Sequence, residues 1–534
     1  MERRKLKKRK RFGLLNDMED LQKKQHYCCK KTKEEKSMFK RTLVLLLCVI
    51  CALTMVGLVS AAEPKEDVVI GLSLEIVTTD PQGSNSIAPL TLIALTHETL
   101  TEVDNDGVVH PGLAEFEQID ALTYKFTIPA DVTFTNGEPC TTEDIAFTFE
   151  RAKESSFSSS KVISIDHTEI LSPTEILFHL SAPNGDLLTL LGHKGLSILS
   201  KKACEEDPDH GFSIGTGRYF ITKWIPGDVT VVERYDGYHG EKGVAKTITF
   251  RHIAENSARI IALQNKEIDI ALNLEPLDMP MIEDDSSLEA LRIEDIWCKY
   301  LGINVNRPPF DNVLVRKALA HAVNKDNVII AATNGEGKVH TSVVNNTQFA
   351  LDENLPEYEY DPELAKSLLA EAGYPNGIDV QLTCYKGAPY ETIAAVVQYD
   401  MAAAGINVTV NPVEAAAQKA MMKEGEHEMV VYAWTDALGT DNTLRSLLYS
   451  TSGSNRCKIA DPDLDKMIDD ALVEMDTAKR EQMYKDIQAY VQDLVPYIML
   501  YTSYNYVGVR AGTTGIDWMS NSQHNFSYVS VPAE

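Results

Sequence analysis

At 534 residues the chain exceeds what one hydrophobic core supports, so two or three domains are expected. Apolar residues make up 44% and charged residues 24%, the balance of a globular protein. Residues 1–61 hold 16 basic and 6 acidic side chains, so of the chain's 51 and 78 the remainder keeps 35 and 72, a formal charge near −37. Such a surface repels nucleic acid and anionic lipid and excludes both as partners.

Residues 1–37 are rich in Lys and Arg without an apolar period and are assigned no fold. From Met38 the text changes to a short basic start (Lys40, Arg41), an apolar run Leu43–Val59 and a small-residue end at Ser60-Ala61. That is the pattern of a secretory signal over 38–61, cut after Ala61. With Met38 as the initiator, residues 1–37 would be an untranslated extension. The competing reading is an uncleaved anchor, since a run of 17 apolar residues sits at the low end for a membrane span. Both place the body outside the cytoplasm. The body keeps five cysteines, Cys140, Cys204, Cys298, Cys384 and Cys457, with no CxxC pair, so no zinc or redox site is suggested. The odd count leaves at least one unpaired within the chain; a single bridge is possible, and its pairing is open.

Asp67–Leu74 reads as a strand, Leu90–Leu100 as a helix and Leu122–Ile128 as a half-buried strand. In TFTNGEPCTTEDIAFTFERAKES, Asn136-Gly137 marks a turn, and Thr141 with Asp144 three residues on approaches a capping box. Gly215 and Gly217 lack the third glycine of a nucleotide loop; Pro226-Gly227 followed by the alternating Val229–Arg234 reads as a hairpin. Asn265–Leu272 is a further core strand. In KYLGINVNRPPFDNVLVRKALAHAVNK, a strand Tyr300–Val305 meets a Pro-Pro break and a helix opening at Asp311, the expected N-cap.

Asp361 caps a helix with Pro362 at its first position, and Gly373 stops it. Strand Ile378–Tyr385, helix Glu391–Ala404 and strand Ile406–Val413 give an α/β rhythm. Met429–Trp434 is the next strand. It leads into a polar loop with Asp436 and Asp441 and then a helix. Asp461-Pro462 opens another helix, Thr477 the one after, and Tyr497–Val509 alternates as a closing strand. Catalytic motifs are missing. There is no GxSxG elbow, Thr101 stands where an HExxH reading of His97-Glu98 needs histidine, and GEGKVHTS lacks P-loop spacing. An extracellular hydrolase would need a nucleophile–base pair that the sequence does not display.

Five stretches carry a resemblance. These are the "F-x-N-G-x-P" text at Phe134–Pro139 with its following helix, GTGRYF, NKEIDIAL, the Lys299–Ile330 segment, and VVYAWTDALGTDNTLRSLLYSTSGSNRCK at Val430–Lys458. Together they resemble the bacterial extracellular solute-binding proteins of family 5, the dipeptide-, oligopeptide- and nickel-binding components of ABC importers. The resemblance implies an α/β, two-lobed, periplasmic-binding-protein-like fold of class II, with three domains and a two-strand hinge near Tyr300 and Tyr501. Domain I would comprise 62–101, 214–298 and 501–534, domain II 102–213, and domain III 299–500. It further implies an extracytoplasmic protein, in the periplasm or on the outer face of the cell membrane. That protein would work as a monomer without cofactor or catalytic residues, capturing a peptide or other small solute for a membrane permease. A nickel or metal-chelate cargo is the alternative within the family.

In peptide-binding members an aspartate just after the loop's tryptophan takes the peptide's α-amino group. Here Asp436 follows Trp434 by two residues, where those members space it by three, and Asp441 is the alternative. Both also have the plain reading of capping the loop and its helix. Arg445 or Arg456 could grip a carboxylate bidentately, and the Gly453-Ser454-Asn455-Arg456 run resembles members that take small peptides, glutathione included. Tyr385, Tyr432 and Trp434 serve either as apolar walls or as core. Ser86, within Ser84–Ile87, corresponds to a segment near the ligand in relatives.

Overall fold

The structure, a computed structural model, describes residues 64–434, 439–519, 521 and 523–533. The basic extension, the signal segment 38–61 and Asp436 lie outside the described residues.

Two long antiparallel strands, Leu288–Ile303 and Tyr497–Arg510, run in register from Leu288 opposite Arg510 to Gly302 opposite Tyr497. On one flank Met429–Trp434 pairs with Leu288–Ile303, followed by Ile378–Tyr385 and Ile406–Val413, which run parallel to it and to each other. On the other flank Ile270–Leu274 pairs with Tyr497–Arg510. Asp67–Leu72, Thr247–His252, Val229–Arg234 and Tyr219–Ile225 follow. One 11-stranded sheet thus passes through both halves of the body. The pairing of the long strands slips between Glu294 and Cys298 and again between Lys299 and Tyr300, midway along the sheet.

The sheet's second half is covered on both faces, which is why its strands read as nearly continuous apolar runs. Leu301, Ile303, Leu382 and Val431 pack into a core closed by helices Val313–His321, Lys325–Thr333, Pro362–Glu371 and Tyr390–Ala403. Cys298 and Tyr300, on the alternate positions, meet helices Thr440–Leu448, Pro462–Leu472 and Thr477–Leu494 on the opposite face. In the first half Val68, Ile70, Ile248 and Phe250 pack against helix Ile87–Thr96. A separate four-stranded antiparallel sheet, ordered Glu115–Asp120, Thr123–Thr127, Glu175–Leu180, Ile165–Ser172, shares its own core with helix Thr142–Glu154.

Local chemistry explains where elements start. The Asp144 carboxylate accepts the Thr141 N–H at 2.9 Å, and the Asp361 carboxylate accepts the Leu364 N–H at 2.9 Å ahead of Pro362. Strands Val229–Arg234, Ile378–Tyr385, Ile406–Val413 and Met429–Trp434 and helix Thr477–Leu494 fall where their patterns place them. Asp311, however, is not a helix cap. Residues 307–312 form consecutive tight turns around buried Phe310, with Phe310 N–H donating to Arg307 O at 2.7 Å, so the helix begins two residues later at Val313. Asn312, in extended conformation, takes the Leu314 N–H at 2.9 Å instead. The strand expected at Tyr300 starts at Leu288, and the charged residues along Leu288–Asp295 hide it from an apolar-run reading. All five body cysteines are free, so no bridge forms among them.

Buried Asp269 ties the first strand to the sheet: its carboxylate takes the Val69 N–H at 2.9 Å and pairs with the Lys65 ammonium at 2.7 Å. Asp269→Ala orphans a buried amide and a partly buried cation together, and should cost about 3–5 kcal/mol. Lys65→Ala should cost much less, since that side chain keeps 30% exposure. Urea unfolding followed by fluorescence reads both; equal midpoints for the two variants would contradict this account.

Candidate functional site

Strands Ile378–Tyr385, Ile406–Val413 and Met429–Trp434 run parallel, so their carboxyl ends Tyr385, Val413 and Trp434 finish at one edge. In open α/β sheets that edge borders the binding crevice, because the loops that follow are free to diverge there. Tyr432 packs edge-on to Tyr385 with ring centroids 5.4 Å apart and lies 6.1 Å from Tyr300, while Tyr385 meets Tyr390 at 5.0 Å and Tyr300 meets Tyr497 at 5.0 Å. The Arg456 guanidinium sits 5.9 Å from the Tyr432 ring centroid. Its backbone is pinned from both sides, its N–H donating to the Tyr497 hydroxyl at 3.2 Å and its carbonyl lying 2.7 Å from the His427 ring nitrogen Nε2. Arg456 Nη1 donates to the Gly453 carbonyl at 2.8 Å.

Three polar atoms of this platform, Arg456 Nε, the Tyr300 hydroxyl and Trp434 Nε1, are buried without a hydrogen-bond partner among the described residues. Burial, reinforced by the Tyr432 phenol, pushes the Tyr385 hydroxyl above its ordinary range, so it stays a neutral donor. Unmatched buried donors are rare in folded proteins and each needs an explanation. Sequence reasoning singled out Tyr385, Tyr432, Trp434 and Arg456, and the fold brings these four together. It missed Tyr300, Tyr390 and Tyr497 behind them. Of these, Tyr300 was accessible from the strand alternation alone.

The loop after Trp434 carries Asp436, outside the described residues, and resumes at Gly439, whose φ of +117° suits glycine. A Cβ there would stand 2.7 Å from Asp186 Oδ2. The same Asp186 oxygen accepts the Asp441 N–H at 3.1 Å, joining the two halves of the body across 255 positions of sequence, a link no local pattern announces. Asp441 itself lies in the first turn of helix Thr440–Leu448. There its carboxylate pairs with Arg445 Nε one turn on at 3.1 Å, and Arg445 Nη1 reaches Asp469 at 2.8 Å. Burial raises the pKa of Asp441 and Arg445 opposes it. Asp441 and Arg445 therefore engage each other rather than the platform. Ser86 sits exposed before helix Ile87–Thr96, its N–H donating to Ser84 Oγ at 2.9 Å; it shares no hydrogen bond with the platform residues. A cavity of about 120 Å³ lies beyond Gly439, bordered by Asp104, Asp186, His193, Lys194 and Phe349. Among the described residues no group of three or more His, Cys, Asp or Glu is placed to hold a metal ion.

One further pair escaped the sequence reading. Asp295 and Lys299 flank the slip in the long strands and are 7% and 8% exposed. Burial pushes the Asp295 carboxyl up to about 6, against the pull of Lys299, and burial lowers Lys299 against the pull of Asp295.

Residues 108–456 match the family described as bacterial extracellular solute-binding proteins, family 5 Middle, and the chain belongs to that family. Its fold is accordingly the two-lobed α/β fold of periplasmic binding proteins. Among curated relatives, the dipeptide-binding protein of Escherichia coli K12 is 28% identical over 461 residues, covering 79% of this chain and 86% of that protein. The glutathione-binding protein GsiB of the same strain is 26% identical, covering 83% and 90%. HbpA2 from Haemophilus parasuis superposes with a TM-score of 0.80 at 24% identity, over 87% of this chain and 98% of that one. The periplasmic binding protein DppA from Helicobacter pylori, in complex with peptide STSA, does so at 0.70 and 22% identity, over 88% and 99%.

Because the folded pKa of Asp295, about 6, exceeds the unfolded value, the native state holds that proton more tightly than the unfolded chain. The stability this contributes is complete below the unfolded pKa of about 3.9. It is lost as the pH rises through 6, with a cumulative loss of about 3 kcal/mol. Asp295→Asn removes that dependence. The unfolding free energy of the wild type minus that of Asp295→Asn should decline between pH 4 and 7 (urea titrations at each pH), and a flat difference would contradict the assignment.

Proposed function

We propose that the chain is the solute-capturing subunit of an ABC importer, closing its lobes on a peptide and delivering it to a membrane permease. Family membership carries this reading, since the family is one of binding proteins. The buried platform donors that lack a partner among the described residues support it, because a peptide supplies carbonyl and carboxylate oxygens. The relatives named for dipeptide and glutathione point to the same solute class. Lobes 62–298 with 501–534 and 299–500 would swing about the two long strands, and the protein would act as an exported monomer released after Ala61 or anchored there. Solute bound between the lobes rewards only the closed state.

Asp441 is already paired with Arg445 at 3.1 Å, which leaves the peptide's ammonium to Asp436, the other acid after Trp434. Removing that charge while keeping the shape, as Asp436→Asn does, should cost about 2–4 kcal/mol of affinity, the range for breaking a desolvated charge pair. Calorimetry with di- and tripeptides on the wild type, Asp436→Asn and Asp441→Asn reads this directly. N-acetylated peptides should bind the wild type as weakly as free peptides bind Asp436→Asn. Loss confined to Asp441→Asn would move the role to that residue. No binding of any peptide by the wild type would overturn the peptide reading and favour the metal-chelate cargo.

A further inference from the structure

The four-stranded sheet carries a pair of histidines on its outward face. Burial alternates along Glu175–Leu180, with Ile176 and Phe178 in the core and Leu177 and His179 on the other side. On the neighbouring strand Ile165 pairs with Leu180, but the next paired residue is His167, opposite His179, so Asp166 is an extra residue there. A bulge of this kind sets two residues of one strand against one of its partner, and it brings Asp166 and His167 together beside His179. The two imidazoles stack, with ring centroids 4.6 Å apart and 20° between their planes. One nitrogen of each ring meets a carboxylate: His167 Nδ1 lies 2.8 Å from Asp166 Oδ2, and His179 Nε2 lies 3.2 Å from Glu169 Oε2. A neutral imidazole that donates from one nitrogen keeps a lone pair on the other. Those other nitrogens, His167 Nε2 and His179 Nδ1, have no hydrogen-bond partner among the described residues.

We propose that His167 and His179 together bind one late first-row divalent ion, zinc, nickel or copper, on the outer face of this sheet. Imidazole nitrogen suits these ions, and a hydrogen bond from a ligand's second nitrogen to a carboxylate fixes its tautomer and orientation. Asp166 and Glu169 are then positioning residues that hold the two rings. Among the described residues no third His, Cys, Asp or Glu joins them as a ligand, so water completes the shell. The plain alternative is two separate surface ion pairs, which contribute little and do not account for the two rings being drawn against each other. The place is apart from the solute platform, because this sheet has its own core and shares no strand with the 11-stranded one. Strand Ile165–Ser172 lies at the edge of its sheet, and the ion ties it to Glu175–Leu180. It therefore acts on the stability of this sheet, not on the cargo.

The test titrates zinc and nickel chlorides calorimetrically into the protein without an added polyhistidine tag, with magnesium as the control ion. Thermal unfolding is followed at each ion concentration. Zinc and nickel are expected to bind and to raise the melting temperature, and magnesium to do neither. His167→Ala and His179→Ala should each weaken the binding by roughly a hundredfold or abolish it, whereas Asp166→Asn and Glu169→Gln, which keep both ligands, should weaken it about tenfold. His110, which meets Asp104 at 2.8 Å on another sheet, is the comparison, and His110→Ala should bind as the wild type does. Binding that survives unchanged in His167→Ala and His179→Ala overturns the assignment and places the ion elsewhere in the chain. Loss confined to one of those two variants overturns the pairing, and no binding of either ion by the wild type at millimolar concentration overturns it outright. Should an alanine variant fold poorly, His167→Gln and His179→Gln are read in the same way.

Discussion

Everything in this body hangs on the register of two strands. Leu288–Ile303 and Tyr497–Arg510 belong to both cores at once, so their alternation must serve the helices of each half. A slip of one residue along such a pair would send every apolar side chain to the wrong face. The irregularities at Glu294–Cys298 and Lys299–Tyr300 sit between the halves, where they can reset the alternation without disturbing either core. Any movement of one half against the other has to pass through this place. It also has to accommodate the other contacts that join the halves, among them the Asp441 N–H on Asp186 at 3.1 Å, the Gly185 N–H on the Leu472 carbonyl at 2.8 Å and the Arg292 guanidinium on Glu336 at 2.8 Å.

The same junction concentrates polar groups that a fold optimised for stability would avoid. Asp295, Lys299, the Tyr300 hydroxyl and Trp434 Nε1 all lie within a few residues of the slip or one strand away; the first two are buried charged residues, and the last two atoms have no hydrogen-bond partner among the described residues. Elsewhere the picture is mixed: Thr383 Oγ1, Gln418 Oε1 and Ser527 Oγ also lack a partner among the described residues, while other buried polar groups are fully served. Gln488, for example, takes the Ser342 hydroxyl and the Asp352 N–H on its carbonyl and donates to the Ala350 and Tyr484 carbonyls. What distinguishes the junction is that its unmatched atoms lie together with the aromatic rings at one strand edge, not that they are unmatched.

How much of this the sequence disclosed follows from the range of each interaction. Elements whose cause is local were readable: the Asp144 and Asp361 caps, the hairpin at Gly227, and the apolar strands Ile378–Tyr385 and Met429–Trp434. Asp311 misled because three residues of turn, not composition, decide where the helix's orphan amides begin. The long strand's first half was hidden because Glu289, Arg292 and Glu294 interrupt the apolar run. In the site, the platform Tyr385–Tyr432–Trp434–Arg456 was legible from resemblance and position. The Asp441–Arg445 pair was legible in principle as an i, i+4 acid–base spacing on a helix. Asp186 was not, since nothing near it in the sequence marks a residue that meets Asp441 from the other half.

The overall charge and the local charges of the site pull in opposite directions, and together they narrow the solute. A body near −37 repels anions at long range, while the Arg456 guanidinium at the strand edge attracts them only at short range. At physiological ionic strength the long-range field fades within about 8 Å of the surface, so it acts on encounter and hardly on the bound complex. A purely anionic solute would meet the repulsion before the attraction. On the roles proposed for Arg456 and Asp436, a zwitterion, whose net charge is zero, meets neither on approach and gains from both once inside. A peptide with free termini and neutral side chains is such a molecule, so the proposed roles would favour it over a simple dicarboxylate for a kinetic reason as well as an energetic one.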